Sequence, residues 1–245
     1  MPFTFSHPAL ILPLTYLPKH WVSSSALVIG SLVPDFEYFL RMRINSQYSH
    51  TIPGLLWFDL PLGLLLTLVF HQIIRNVLID NLPFFLKSRV YHCKGFNWWA
   101  YMRKRWWVVI ISLLIGSASH LLWDSFTHEH AIFVDLFPSL NTPYRILGHL
   151  VPAYRLVQHL STLAGGIVLG WAVWRMPQNF AVKASFNSSF WDVFVLVTLP
   201  IFAARLFFRD GYLIGNIVAS VIAAGLAGLV ITSVVYKQLY KNKKE

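Results

Sequence analysis

Three side chains that could bind a metal recur at four-residue spacing in the stretch HLLWDSFTHEH, which begins at His120. If the stretch is helical, His120, Asp124 and His128 lie within about 80° of one another on a single face. Imidazole and carboxylate ligands without a thiolate suit zinc, manganese or iron(II) better than copper(I). The spacing therefore predicts part of a metal site, and a hydrogen-bonded patch that fixes helix packing is the alternative explanation.

These polar groups occur in an apolar chain of 245 residues, of which 56% are hydrophobic and 12% are charged. Soluble proteins carry about 25% charged residues, and a bilayer-crossing helix needs roughly 20 apolar ones. Five stretches meet the length requirement, at about 54–74, 106–123, 156–174, 190–208 and 212–236. A shorter run over 20–33, before Pro34, predicts a re-entrant or interfacial helix. The expected fold is an all-α polytopic membrane bundle.

Domain organisation is predicted to be simple, because the chain has no internal repeat and no low-complexity linker. We expect a single membrane domain over 1–245. Residues 1–175 carry the polar candidates, and residues 176–245 supply two packing helices. Cys93 is the sole cysteine, so an intrachain disulfide is excluded.

Basic residues predict the orientation of the chain. Most Lys and Arg residues lie in the segment 75–105, in the loop after the third span and at the C-terminus. Basic segments remain in the cytoplasm, so residues 1–53 and 124–155 are expected outside a plasma (inner) membrane and the C-terminus inside. This topology accounts for most of the net charge of +10, so nucleic-acid binding is not expected.

Further candidates fall on the predicted outer side. His7 and Asp35 lie in the outer N-terminal segment, His50 precedes the first span, and His159 begins the third. A buried ionisable group costs about 2.5–3.5 kcal/mol in a membrane, so a cluster needs mutual pairing or a bound ion. We expect one or two divalent transition metals, with zinc as the first choice. The predicted ligands are His7, Asp35, His50, His120, Asp124, His128 and His159.

Catalytic and substrate-binding roles are assigned to neighbouring residues. Asp35 and Asp124 are candidates for base or ligand, and Glu129 beside His128 is a candidate general base for a bound water. Arginine matches the planar geometry of phosphate. The candidates for binding a lipid phosphate, or alternatively for anchoring in the head-group region, are Arg41, Arg43, Arg145 and Arg155.

Several blocks of the chain resemble a known bacterial family, domain-of-unknown-function family 4184. The blocks, all before about residue 166, are MPFTFSHPA, ALVIGSLVPDFEYFLRM, SHTIPGLLWFDLPLGLLL, SHLLWDSFTH and YRLVQHLSTLAGG. More distantly, the chain resembles the predicted membrane-bound metal-dependent hydrolases. That resemblance implies that the metal ligands or their neighbours are His7, Asp35, His50, His120 and Asp124. The distant group often has a His after its PD pair, so either Glu37 substitutes for it here or a second metal is absent.

Two functions remain open. The first is a metal-dependent hydrolase that acts on a phospholipid or lipid-linked substrate at the outer membrane face. The second is a non-enzymatic membrane protein, either a carrier that relays protons or an assembly factor. A proton relay needs polar residues across the whole bilayer, whereas these candidates are expected near one surface. The sequence therefore favours the hydrolase, and it leaves the oligomeric state open.

The predicted orientation can be tested by labelling. In a Cys93→Ser background, Ser46→Cys is expected to react with a membrane-impermeant thiol reagent in intact cells, because residues 1–53 are predicted to lie outside. Mass spectrometry of the purified protein measures the extent of modification. Modification that requires cell lysis would reverse the orientation.

Overall fold

A computed structural model describes residues 3–183, 187–208 and 212–242. The fold is almost entirely helical. Its helices are α1 Pro8–Ile11, α2 Ser24–Leu32, α3 Phe36–Arg41, α4 Leu55–Asn81, α5 Phe84–Val90, α6 Trp98–Asp124, α7 Ile132–Leu136, α8 Pro138–Asn141, α9 Ala153–Arg175, α10 Ser188–Leu206 and α11 Ile214–Asn242. A hairpin of antiparallel strands β1 Pro143–Ile146 and β2 His149–Pro152 precedes α9.

The five predicted spans are confirmed. Within the described residues, α4, α6, α9, α10 and α11 are long and apolar enough to cross a membrane. Each observed helix covers its predicted stretch or most of it, and α4 and α6 extend several residues further at the end that faces the basic segment between them. The chain is therefore an all-α, multi-pass helical membrane protein.

The short N-terminal run forms α2, which continues into a 3₁₀ turn over Val33–Asp35 and then into α3. Pro34 lies within this turn rather than ending the helical path. Ala26, Leu27 and Val33 are completely buried. This segment packs inside the protein, and its re-entrant or interfacial position stays a prediction.

The chain folds into two compact units. The first contains the described parts of Met1–Asp35, Tyr48–Leu64 and Arg105–Arg175, and the second contains those of Phe36–Gln47, Leu65–Lys104 and Met176–Glu245. The predicted site-bearing part, 1–175, therefore contributes segments to both units.

In the first unit, α2 and α6 approach each other at small residues. A Cβ atom on Gly116 would overlap the Leu27 carbonyl oxygen and lie 2.7 Å from the Ser31 nitrogen. The Ser117 hydroxyl donates to the Gly30 carbonyl at 3.1 Å. The small residues at 116–119 thus permit the close helix approach that such residues allow in membranes.

Helix α4 is locally widened at two places, with π-helical turns over Leu55–Asp59 and Phe70–Ile74. Pro61 explains the first turn, because proline has no backbone N–H to donate one turn back and its ring clashes with that carbonyl. Asp59 is buried in this turn. The second π-helical turn contains His71, and no proline follows it within α4.

The α2–α6 contact predicts a large difference between two glycine substitutions. Gly116→Ala is expected to destabilise the protein by about 1–3 kcal/mol, because the new methyl group meets backbone atoms that cannot move aside. Gly166→Ala in α9 is the matched control, since nothing lies within 4 Å of its added Cβ. Thermal unfolding in detergent measures both variants. Equal unfolding midpoints would contradict the observed packing.

Candidate functional site

Five of the predicted ligands come together in the first unit. His7 immediately precedes α1, Asp35 ends the turn after α2, and His50 lies in the loop before α4. His120 and Asp124 lie one turn apart at the end of α6. Because four separate segments supply these side chains, the cluster is a product of tertiary folding.

Four of the side chains form a ring in which imidazole nitrogens and carboxylate oxygens alternate. The Nε2 atom of His50 lies 3.5 Å from Asp35 Oδ1 and 3.5 Å from Asp124 Oδ2. The Nε2 atom of His120 lies 3.5 Å from the same Asp35 oxygen and 3.4 Å from the same Asp124 oxygen. Ligand atoms at about 2.0–2.2 Å from one zinc ion are about 3–4 Å apart, so the spacing suits a shared cation.

His7 joins the ring from one side. Its Nε2 atom lies 3.6 Å from Asp124 Oδ1, and its imidazole stacks on that of His120 with 3.6 Å between ring centroids. Two groups of three therefore have ligand atoms within 4.8 Å of one another: His7, Asp35 and His120, and His50, His120 and Asp124. Since His120 belongs to both, the arrangement could hold one metal ion or two adjacent ions.

Hydrogen bonds on the outer side of the ring orient two of its members. The Nδ1–H of His120 donates to the Ser31 carbonyl at 2.7 Å, which leaves Nε2 directed at the carboxylates. The Thr4 hydroxyl donates to Asp35 Oδ2 at 2.5 Å, which leaves Oδ1 directed at the imidazoles. Such outer partners fix the tautomer and the angle of metal-binding side chains.

The inner atoms of the ring are buried without hydrogen-bond partners. Among the described residues, His120 Nε2, Asp35 Oδ1 and both carboxylate oxygens of Asp124 have none. The side chains of Asp35 and His120 are wholly inaccessible, whereas that of His50 is 18% exposed. A buried charge without hydrogen-bond partners is costly unless a counter-charge is present. His50 forms the solvent-exposed edge of the cluster.

Protonation in the N-terminal part of the cluster suits metal binding. Burial, reinforced by the nearby His120, lowers the pKa of His7 to about 3, so its imidazole is neutral at physiological pH. Burial opposes ionisation of Asp35, but attraction to His120 and His50 outweighs it and holds the pKa of Asp35 below its ordinary value. Burial also disfavours charged His50, yet contacts with Asp124 and Asp35 raise its pKa. His50 is therefore where a proton and a metal ion would compete.

His128 does not continue the helical face, because α6 ends at Asp124. Its Nδ1 atom donates to the Asp124 backbone carbonyl at 3.0 Å and lies 3.7 Å from Asp124 Oδ1. It belongs to neither group of three. Burial lowers the pKa of His128 despite the nearby Asp124. Because the proton is on Nδ1, Nε2 of His128 carries the free lone pair. This nitrogen, like the inner atoms of the ring, has no hydrogen-bond partner within the described part of the chain.

Other predicted site residues lie apart from the cluster. His159 is exposed on α9 and belongs to neither group of three. Glu129 is exposed and pairs with His130 at 4.0 Å. The structure does not bring these two side chains to the ring: both are exposed, and neither belongs to a group of three.

The four predicted phosphate-binding arginines are also placed by the structure. Arg41 makes an ion pair with buried Glu37 at 2.9 Å and donates to Gln47 at 3.1 Å. Arg43, Arg145 and Arg155 are exposed. Both Glu37 and Arg41 belong to the second unit, so the Glu37 carboxylate is used in an ion pair there.

Sequence reasoning missed the apolar cavity beside the cluster. The cavity has a volume of about 320 Å³. It is lined by Leu10, Leu122, Trp123, Phe126, Leu140 and Val157. The ring of Trp123 lies 5.7 Å from that of His7. In the sequence, the cavity could have been suspected only from the position of Trp123 next to Asp124, since the other walls come from distant segments.

Fold and site together define a class: multi-pass helical membrane proteins with a buried His and Asp cluster at the end of a span. The chain belongs to the family described as Domain of unknown function (DUF4184), which matches residues 1–236. The resemblance of its motifs to this family is thereby confirmed. No curated protein and no solved structure gives a significant match to the chain.

Proposed function

We propose that the chain is a membrane-embedded, metal-dependent hydrolase that acts on a phospholipid or lipid-linked phosphate. The observation that carries the proposal is the ring of His50, His120, Asp35 and Asp124, whose facing atoms are 3.4–3.5 Å apart. These distances are too long for good hydrogen bonds and suit ligands of one cation. The distant resemblance to predicted membrane-bound metal-dependent hydrolases supports the same function.

Charge balance favours a divalent cation. The ring contains two buried carboxylates, Asp35 and Asp124, and neutral imidazoles add no charge. The His120 Nδ1 proton is committed to the Ser31 carbonyl, so in neutral His120 a lone pair on Nε2 would face both carboxylates. That arrangement is repulsive without a positive charge at its centre. Histidine and carboxylate ligands together suit zinc, and a second ion beside His7 is compatible with the geometry.

The side chains around the ring have separable roles in hydrolysis. A divalent transition metal, when bound, polarises a phosphoryl oxygen and lowers the pKa of a coordinated water. His128 can accept a proton at Nε2, because its Nδ1 proton is committed to the Asp124 carbonyl. Its lowered pKa keeps the imidazole neutral and therefore able to act as a general base. We assign this role to His128 in preference to exposed Glu129.

The apolar cavity beside the cluster supports a lipid substrate. Trp123 lines the cavity and its ring lies next to that of His7. The other residues that line the cavity are aliphatic or aromatic. An acyl or polyprenyl chain in this cavity would place its phosphate on the His7 side of the cluster. Exposed Arg145 and Arg155 in the same unit are available for a head group. The proposed location is the outer face of a plasma membrane, as the distribution of basic residues predicts.

Metal content is the most direct test of the proposed centre. Purified protein is expected to retain about one equivalent or more of transition metal, measured by elemental analysis. His120→Ala and the isosteric Asp124→Asn are expected to lose most of it, because each removes a buried ligand. His159→Ala is the matched control and is expected to keep the metal, since His159 lies outside the cluster. A wild type that folds without metal would contradict the proposed centre. The cluster would then consist of ion pairs with protonated histidines, and a carrier or assembly factor would be the better interpretation.

Turnover in mixed micelles tests the reaction. Phosphatidylglycerol, phosphatidylethanolamine and a polyprenyl phosphate are the probes, and mass spectrometry measures product. Hydrolysis of at least one is expected, with loss on chelation and recovery on addition of metal. His128→Ala is expected to lower kcat by about 100-fold with metal content unchanged, because it removes a general base but no ligand. Turnover that survives chelation would contradict the proposed mechanism.

A further inference from the structure

A buried arginine that has no acidic partner among the described residues lies in the second unit. The side chain of Arg75 is in the last part of α4, and the residue is 5% exposed. Among the described residues, no carboxylate lies within ion-pair distance of its guanidinium. Its hydrogen-bond partners are neutral: Asn76 Oδ1 at 3.1 Å, His71 Nδ1 at 2.8 Å and the Phe96 carbonyl at 2.7 Å. The guanidinium is thus held in place by neutral groups, and the part of the chain that the structure describes supplies no counter-ion for it.

Arg75 lines a cavity of about 590 Å³, here called the Arg75 cavity. Its other walls include Lys237 of α11 and Trp98 and Trp99 of α6, all in the second unit. The Lys237 ammonium donates to the Gln72 carbonyl at 3.0 Å and remains exposed. Two cations therefore border one cavity, and three of the five N–H groups of Arg75 are used by the protein.

The acidic residue on the same wall does not neutralise these cations. Asp80 makes an ion pair with Lys94 at 2.5 Å, and its backbone carbonyl accepts a hydrogen bond from Lys87 at 2.9 Å. The π-helical turn over Phe70–Ile74 supplies His71, which stacks on Trp98 with 4.3 Å between ring centroids. Such turns are frequent at functional sites. The cavity therefore combines a shaped aromatic wall with uncompensated positive charge.

We propose that the Arg75 cavity binds the phosphate group of an anionic lipid or of a free phosphate compound. A guanidinium donates two parallel hydrogen bonds to phosphate, and an ammonium adds a point charge. The lipid is the source that the surroundings favour. The cavity opens where α4 and α11 end and α6 begins, and tryptophans at helix ends lie at the membrane–water interface. This binding site is independent of the proposed hydrolase centre.

Binding to purified, full-length protein in detergent tests the proposal. The probes are dioctanoyl phosphatidic acid, dioctanoylglycerol and inorganic phosphate, and native mass spectrometry with titration gives Kd. Phosphatidic acid is expected to bind the wild type, with Kd about tenfold weaker in Arg75→Gln and about fivefold weaker in Lys237→Gln. Lys237 is exposed, so its variant tests the site even if Arg75→Gln does not fold. Dioctanoylglycerol, which has no phosphate, is expected not to bind.

Two controls separate this site from others. Arg103→Gln removes an exposed cation of the same unit that does not line the cavity, and it should leave Kd unchanged. Asp124→Ala, which damages the proposed hydrolase centre, should also leave Kd unchanged. Inorganic phosphate that binds as tightly as phosphatidic acid would identify a free phosphate compound as the ligand. Equal affinity of wild type, Arg75→Gln and Lys237→Gln would overturn the proposal, as would a loss confined to Asp124→Ala.

Discussion

Two carboxylates, Asp35 and Asp124, are buried against imidazoles at the end of an apolar helix, and this electrostatic constraint organises the first unit. An ionised carboxylate loses several kcal/mol of hydration when it is buried, and neutral donors recover part of that. Thr4 supplies one such donor on the outer side of Asp35. Asp35 Oδ1 and Asp124 Oδ2 face His50 and His120, so positive charge among these four side chains stabilises the unit. A bound metal ion or protonated imidazoles would satisfy the same requirement, and our proposal of a metal depends on the 3.4–3.5 Å spacing of the ring.

Helix packing and site chemistry depend on the same contact. Because Gly30 and Gly116 lack side chains, the backbones of α2 and α6 approach closely enough for His120 to reach the Ser31 carbonyl. The turn that follows α2 then places Asp35 opposite His120. A larger residue at either glycine would displace His120 and Asp35 as well as the helices. The small residues of α6 are therefore part of the site, although none of them touches its centre.

The same electrostatic argument applies with opposite sign in the second unit. Arg75 is held by an amide, an imidazole and a carbonyl, all of them neutral, and Lys237 adds a second positive charge to the cavity wall. A membrane protein retains a buried charge of this kind where a ligand or a water-filled cavity compensates it. Buried charge with free space for a ligand is thus the feature that we use in both proposals, with a cation proposed beside Asp35 and Asp124 and an anion proposed beside Arg75.

By itself, the sequence determined the membrane class, the five spans, and the grouping of His120 with Asp124, because apolar length and four-residue spacing are local properties of a helix. The predicted topology added His50 at the same depth, and the family motifs implied the same residue. Only the tertiary structure decided that His50 reaches the ring while His159, predicted at the same depth, stays exposed. It also decided that Arg75 lines a cavity. The physical reason is that depth along a span follows from residue counting, whereas the direction of a side chain depends on which face of its helix is packed and on the path of each loop.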